Sequence, residues 1–89
     1  MSVAFPNRSR SYDPTERRIR FLGYDGVFEV RFFIGLDALA KTAAARVSSE
    51  TDALAAFDRM RRQILETAEK AYLRGKRNNI CVLAPSDFR

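Results

Sequence analysis

Few side chains in this sequence could carry out acid–base or nucleophilic chemistry. Histidine is absent from all 89 residues, which removes the usual general base, the commonest metal ligand and the pH switch of neutral solution. One cysteine without histidine cannot supply the four nitrogen or sulfur ligands of a zinc site. The four glycines are scattered and form no phosphate-cradling motif. We therefore expect neither a metal nor a cofactor.

The reactive groups that remain each have a structural explanation. Cys81 lies within the apolar run ICVLA, and we expect it to be a small buried hydrophobe, since no base or oxyanion hole accompanies it. Four carboxylates could pair as a general acid and base, but each lies in a predicted turn or cap: Asp13, Glu16, Asp25 and Asp87. The sequence therefore predicts that the protein is not an enzyme.

Positive charge is the remaining feature that could bind a partner. Sixteen Lys and Arg against eleven Asp and Glu give a net charge of +5, which favours acidic partners such as nucleic acid. An excess of this size is also typical of a cation-rich solvated surface. Seven cations are candidates for contact with an anion or a nucleic acid: Arg8, Arg10, Arg18, Arg20, Arg31, Lys76 and Arg77.

A β-hairpin in residues 17–34 positions three of these cations. The segments RRIRFL and VFEVRFFI alternate in polarity on either side of GYDG, residues 23–26, and Asp-Gly is typical of a hairpin turn. A four-residue loop would pair Phe21 with Phe28, whereas a two-residue Asp-Gly turn would pair Phe21 with Val30. Both registers place the same side chains on the same face, because they differ by two residues.

The two faces of this hairpin differ in character. One is apolar and is expected to line the core: Ile19, Phe21, Phe28, Val30, Phe32 and Ile34. The other is mixed: Arg18, Arg20, Leu22, Val27, Glu29, Arg31 and Phe33. Arginines beside an aromatic ring on an open sheet could hold single-stranded RNA by phosphate pairing and base stacking. Alternatively, a homodimer partner covers Leu22, Val27 and Phe33, with Arg20 and Glu29 as a cross-strand pair.

The flanking segments predict the remaining elements. Residues 2–6 indicate a short edge strand stopped by proline, and residues 13–16 a type I turn. Apolar positions 36, 39, 40, 43 and 47 indicate a short amphipathic helix. A second helix begins at a capping box formed by Ser49 and Asp52 and runs to about Arg74, and residues 80–84 read as a final strand.

The order β-β-β-α-α-β predicts an α+β fold, with a small antiparallel sheet and two helices packed on one face. At 89 residues the chain is expected to be a single domain, residues 1–89.

A single cysteine excludes an intramolecular disulfide and fits a reducing cytoplasm. Residues 1–20 contain five arginines and no signal-peptide core, and no apolar run is long enough to span a bilayer. We expect a cytoplasmic protein without membrane contact.

Several short motifs follow one another along nearly the whole chain. Phe5-Pro6-x-Arg8 precedes Tyr12-Asp13, Ile19-x-Phe21 precedes Asp25-Gly26, and the predicted long helix carries further matches at Phe57, Arg61, Ile64, Ala68 and Tyr72, before a closing Asp87-Phe88. In this order they resemble a family of short, uncharacterised bacterial proteins known as domain of unknown function 1488. The resemblance implies a stand-alone α+β domain and brings no established activity, so no catalytic or binding residue transfers from it. Asp13, the Asp25-Gly26 turn and Phe57 look like fold-forming positions.

Two functions follow from these observations. The first is a non-enzymatic module that binds a macromolecule and acts as a homodimer or with an unidentified protein partner, as the half-apolar sheet face indicates. The alternative is a nucleic-acid-binding protein that uses Arg18, Arg20 and Arg31 on the same face.

Overall fold

The structure, a computed structural model, describes residues 3–6, 9–75 and 79–88. Its elements follow one another as β1 (Arg10–Asp13), β2 (Arg18–Asp25), β3 (Phe28–Gly35), α1 (Leu36–Ala43), α2 (Glu50–Arg59), α3 (Arg61–Gly75), β4 (Ile80–Leu83) and a 3-10 helix, Pro85–Asp87. The strands form one four-stranded sheet in the order β1-β2-β3-β4. The predicted α+β class is confirmed.

The β2–β3 hairpin turns one residue later than the sequence predicted. Asp25 pairs with Phe28, so the two loop residues are Gly26 and Val27. Gly26 has a φ of 66°, a left-handed conformation that glycine adopts without strain. Both predicted registers are therefore wrong, and the observed register differs by two residues from that of the Asp-Gly turn. The predicted pair of Arg20 with Glu29 is wrong as well, since these residues lie opposite Phe33 and Tyr24, respectively.

A shift by two residues leaves the sidedness of the hairpin unchanged. Five of the six predicted core residues are buried: Ile19, Phe21, Val30, Phe32 and Ile34. Phe28 is the exception, with 63% of its surface exposed. It is the first residue after the turn, at the end of the hairpin.

The N-terminal segment pairs with the end of β2. Ala4 forms two backbone hydrogen bonds with Tyr24, at 2.9 and 2.8 Å, and the predicted edge strand is reduced to this single bridge. Val3 and Phe5 then pack over Gly23, where a Cβ atom would lie only 2.8 Å from either side chain. The absent side chain of Gly23 is therefore the space that the N-terminal segment occupies.

The sheet is mixed, which corrects the predicted antiparallel arrangement. β1, β2 and β3 are antiparallel neighbours, but β4 is parallel to β3. The reason is the connection: α1 begins directly after β3, and the helices lead the chain back to the start of β3 before β4 begins. A crossover of this kind produces a parallel pair, whereas a tight turn produces an antiparallel one.

The predicted second helix is present as two segments. Its start is confirmed, because the Ser49 hydroxyl oxygen accepts a hydrogen bond from the Asp52 backbone N–H at 3.1 Å. At Met60 the backbone departs from helical geometry, with φ −104° and ψ 17°, and α3 begins at the next residue. The bend allows α2 to pack on β1 while α3 packs on β4.

All three helices contribute to a core on one face of the sheet. The largest fully buried side chains come from both layers: Phe32, Phe57, Ile19, Ile34, Leu39, Ile64, Leu83 and Val30. Aromatic contacts join the layers, with the ring centroid of Phe21 lying 5.3 Å from that of Phe32 and 5.1 Å from that of Phe57. The helices therefore cover the sheet face that the apolar stripe of the hairpin predicted.

We predict that Gly23→Ala destabilises the protein by about 1–3 kcal/mol, the usual cost of inserting a methyl group into a packed core. The added Cβ would approach Val3, Phe5 and Phe32 to within 3 Å. Gly75→Ala is the matched control, because a Cβ there has no neighbour within 4 Å. Urea denaturation of both variants measures the difference, and equal midpoints would contradict this account of the N-terminal packing.

Candidate functional site

One face of the sheet carries no helix from the described part of the chain. Residues paired across neighbouring strands point to the same side, so the register defines the members of this surface, which we call the open face: Ser11, Asp13, Arg18, Arg20, Leu22, Tyr24, Glu29, Arg31, Phe33, Ile80 and Val82. The buried residues of β2 and β3 point the other way, toward the helices. The open face is thus a sheet surface on which no described element forms a second layer.

Apolar side chains are uncovered on the open face. Val82 is 60% exposed and Ile80 43% exposed, while Leu22 and Phe33 are half-buried. Of the predicted dimer-face residues, Leu22 and Phe33 lie on this surface, but Val27 is 89% exposed at the hairpin turn and lies beside it. Sequence reasoning missed the two β4 residues, although the alternation in ICVL would have identified them had β4 been placed next to β3.

The three predicted sheet arginines also meet on the open face. The Arg18 guanidinium carbon lies 3.9 Å from the ring centroid of Phe33, and its Nε atom lies 3.8 Å from the Asp13 carboxylate. Arg31 lies 4.0 Å from the carboxylate of Glu29 on its own strand. Such exposed pairs contribute about 0–1 kcal/mol each, so they hold the side chains only weakly.

Arg20 differs from the other two arginines. It is exposed, lies opposite Phe33 in the β2–β3 pairing, and forms no ion pair within residues 3–6, 9–75 and 79–88. Of the three sheet arginines it therefore has the charge most accessible to a partner.

Arg10 belongs to a different part of the molecule. Its register opposite Phe21 turns it toward the helices, where Nε and Nη2 donate hydrogen bonds to the two carboxylate oxygens of Asp58 at 2.9 and 2.7 Å. The hydrogen bond from Arg10 lowers the pKa of Asp58. Arg10, a predicted contact for an anion or a nucleic acid, is therefore held by Asp58 of the same chain, and this bidentate pair joins β1 to α2. The predicted contacts Arg8, Lys76 and Arg77 lie outside the described residues.

The candidate carboxylates lie in turns and caps. Asp13 accepts hydrogen bonds from the backbone N–H groups of the next turn, at 3.0 Å from Thr15 and 3.3 Å from Glu16. Asp25 accepts a hydrogen bond from the buried hydroxyl of Tyr72 at 2.8 Å, and burial raises the pKa of that tyrosine. Asp87 accepts one from the backbone N–H of Ala84 at 2.7 Å.

Other surface features carry no converging chemistry. Cys81 is half-buried. Burial is the main cause that raises the pKa of its thiol, and the negative charge of the nearby Asp87 carboxylate raises that pKa further. A groove of about 530 Å³ between α3 and the C-terminal 3-10 helix mixes cations with acids, and Arg74 lies 3.9 Å from Asp87 within it. Among the described residues, no three His, Cys, Asp or Glu side chains gather as metal ligands, and no helix is long and apolar enough to cross a membrane.

Fold and surface together define a small α+β protein whose four-stranded sheet is covered by helices on one side. The model of a family described as "Protein of unknown function (DUF1488)" matches residues 3–83, and the chain belongs to this family. A crystal structure of a DUF1488-family protein of unknown function from Shewanella loihica PV-4 has the same fold. It gives a TM-score of 0.78 at 23% sequence identity, over 92% of this chain and 91% of that one. No curated protein matches the sequence.

We predict that Arg10 and Asp58 are energetically coupled. In a double-mutant cycle with Arg10→Ala and Asp58→Ala, the coupling should be about 0.5–1 kcal/mol at neutral pH, the upper part of the range for exposed pairs. The more exposed pair of Arg62 with Glu66, at 3.6 Å, is the control and should give less.

The pH dependence of this coupling follows from the pKa of Asp58. Because the folded-state pKa is lowered, the contribution is complete above the unfolded value of about 3.9 and is lost as the pH falls through the folded value. Urea denaturation at several pH values measures it. Coupling that is absent at neutral pH would mean that Arg10 does not anchor β1.

Proposed function

We propose that the protein is a non-enzymatic cytoplasmic module that acts as a homodimer and binds another macromolecule through the open face of its sheet. One observation carries the proposal: all the helices of the described residues pack on the same side of the sheet, while the opposite side presents uncovered aliphatic and aromatic groups next to cations. Contiguous apolar surface of this kind, with charged residues around it, is typical of contact sites between macromolecules.

The dimensions of the open face suit such a contact. Four strands spaced about 4.8 Å apart and up to eight residues long span roughly 19 by 26 Å, a planar footprint of at most about 500 Å². A stable interface buries about 800 Å² of accessible surface on each partner. One open face is therefore smaller than a standard interface and suits a weak contact, whereas two open faces side by side in a dimer, at most about 1000 Å² together, are large enough for a standard one.

The charges on the open face favour a protein partner. Asp13 and Glu29 lie next to Arg18 and Arg31, so most of the positive charge is balanced locally. The ring of Phe33, which would have to stack on a base, is already covered by the guanidinium of Arg18. Balanced charge around apolar groups is the usual composition of a protein–protein interface.

The non-enzymatic character is supported by composition and by the tasks of the acidic groups. The whole sequence lacks histidine, and three of the four candidate carboxylates accept hydrogen bonds that stabilise turns or bind a core tyrosine: Asp13, Asp25 and Asp87. The cytoplasmic assignment is supported by the single cysteine, which suits a reducing compartment.

We predict that the purified protein is a dimer by multi-angle light scattering at micromolar concentration. A monomeric mass throughout this range would contradict the homodimer.

A low-salt pull-down from the native cell tests whether the open face binds another macromolecule. The wild type and a Gln63→Asp control on α3 should retain a co-purifying protein, whereas Phe33→Asp should lose it while remaining folded by circular dichroism.

Nucleic-acid binding is the second candidate function. The observation that favours it is the exposed guanidinium of Arg20, which lies beside two further arginines and forms no ion pair with a described residue. This candidate predicts that a labelled oligonucleotide binds at low salt, with log–log salt slopes of about −0.9 per neutralised phosphate on duplex DNA and about −0.7 on single strands. Replacing Arg18, Arg20 and Arg31 with alanine should flatten that slope by about two units. Fluorescence anisotropy measures it, and no binding at ~50 mM salt to DNA or RNA would eliminate this candidate.

A further inference from the structure

β4 presents an unpaired edge of the sheet. The backbone N–H of Arg31 donates to the carbonyl of Asn79 at 2.9 Å, and Arg31 lies opposite Ile80. In a parallel ladder this pattern directs the N–H and C=O groups of Cys81 and Leu83 toward β3. The corresponding groups of Ile80 and Val82 point away from the sheet, and no described strand lies beside them. They form a template for one more strand.

The two edges of the sheet differ in how they are protected. β1, at the opposite edge, has the sequence RSYD and carries a charge at each end. β4 has the sequence ICVL, without charge or proline until Pro85. Natural proteins usually blunt an exposed edge with charged residues, proline or a covering segment, and the four residues of β4 include neither a charge nor a proline.

We propose that β4 pairs antiparallel with β4 of a second copy of this chain, about a two-fold axis that passes beside Cys81. This inference rests on the homodimer of the proposed function and identifies its interface as the β4 edge instead of the open face.

The symmetric register satisfies every free group on the edge. Ile80 lies opposite Val82 of the second copy, and Val82 opposite Ile80, so each pair exchanges two backbone hydrogen bonds. Cys81 faces Cys81 in the intervening non-hydrogen-bonded pair, with a Cα–Cα distance of about 4.5 Å. On the open face, Ile80 and Val82 of the two copies become cross-strand aliphatic neighbours, a stabilising combination.

A groove on the helix side of the edge has room for this partner. It has a volume of about 410 Å³ and is lined by Ala71, Gly75, Cys81 and the Arg74–Asp87 pair, among others. A Cβ atom on Gly75 would have no neighbour within 4 Å. The small apolar Cys81 side chain of a second copy therefore fits in this groove.

This pairing explains how one small domain gains a larger contact surface. A two-fold axis perpendicular to the sheet keeps both open faces on the same side, so the dimer has a continuous eight-stranded sheet. Its open face is about twice the footprint of one copy. The dimer contact then uses the backbone edge of β4, with Ile80 and Val82 at its border, and leaves the open face over β1, β2 and β3 available to a partner.

Proline substitution at the edge tests the proposal. Val82→Pro removes an N–H that the monomer does not use in its ladder, and proline is tolerated in strands at such edge positions. We expect Val82→Pro to be a folded monomer by circular dichroism and light scattering at concentrations where the wild type and the Val82→Thr control are dimers. If Val82→Pro remains a dimer and Phe33→Asp becomes a monomer, the open face is the dimer interface and the edge proposal is wrong. A monomeric wild type would overturn the homodimer itself.

Thiol oxidation provides an independent test. Diamide takes two hydrogen atoms from two thiols, which become a disulfide while diamide is reduced to the hydrazine. The expected Cα–Cα distance falls within the 4.4–6.8 Å range of disulfides. We expect a covalent dimer on a non-reducing gel, formed faster as the pH rises because the thiolate is the reactive form. The product should be absent for Cys81→Ser and strongly reduced for Val82→Pro. Crosslinking that is equally fast with Val82→Pro, or absent from the wild-type dimer, would overturn the proposed register.

Discussion

The fold depends on the packing of one helical layer against one face of the sheet. Phe57 of α2, Ile64 of α3 and Leu39 of α1 all meet the inward side chains of β2 and β3. A four-stranded sheet has two faces and two edges, and the helices of this chain serve a single face. Everything that we propose about function lies on the parts of the sheet that this layer leaves uncovered.

Several of the glycine, charged and tyrosine residues that could have had a functional role instead form contacts that hold the helical layer and the N-terminal segment on the sheet. Gly23 provides the space in which Val3 and Phe5 complete the core. Arg10 and Asp58 join β1 to α2, and the hydroxyl of Tyr72 reaches Asp25 at the end of β2. Arg10, a candidate contact for an anion, and Asp25, a candidate general acid or base, therefore stabilise the fold. The open face and the β4 edge retain the groups that are free to meet another molecule.

Local patterns predicted the elements, and long-range packing decided the rest. The alternation around Asp25 and Gly26 predicted which side chains are buried, because sidedness survives a shift by two residues. The register itself was not predictable, because registers that differ by two residues bury the same side chains. The bridge of Ala4 with Tyr24 at the end of β2, between residues far apart in sequence, was likewise not predictable from the hairpin. Likewise, Ser49 correctly marked the start of α2, but the bend at Met60 follows from packing against two different strands.

The open face was predicted only in part, because some of its residues are brought together by local alternation and others by long-range strand pairing. Arg18, Arg20 and Phe33 were placed together because they share the parity of one hairpin, whereas Ile80 and Val82 join them only through the parallel pairing of β4. The sequence contains no local signal for that direction. The pairing of Arg10 with Asp58 is equally non-local, since the partners are 48 positions apart in the sequence.

Amide hydrogen exchange across a dilution series most directly tests whether the uncovered parts of the sheet are where this protein meets its partners. In the monomer, the amides of Cys81 and Leu83 are held in the ladder with β3, and those of Ile80 and Val82 face solvent. We predict that the amides of Ile80 and Val82 exchange rapidly at low concentration and become protected as the dimer forms, while those of Cys81 and Leu83 are protected throughout. Rapid exchange at Ile80 and Val82 in a solution shown by light scattering to be dimeric would contradict the account.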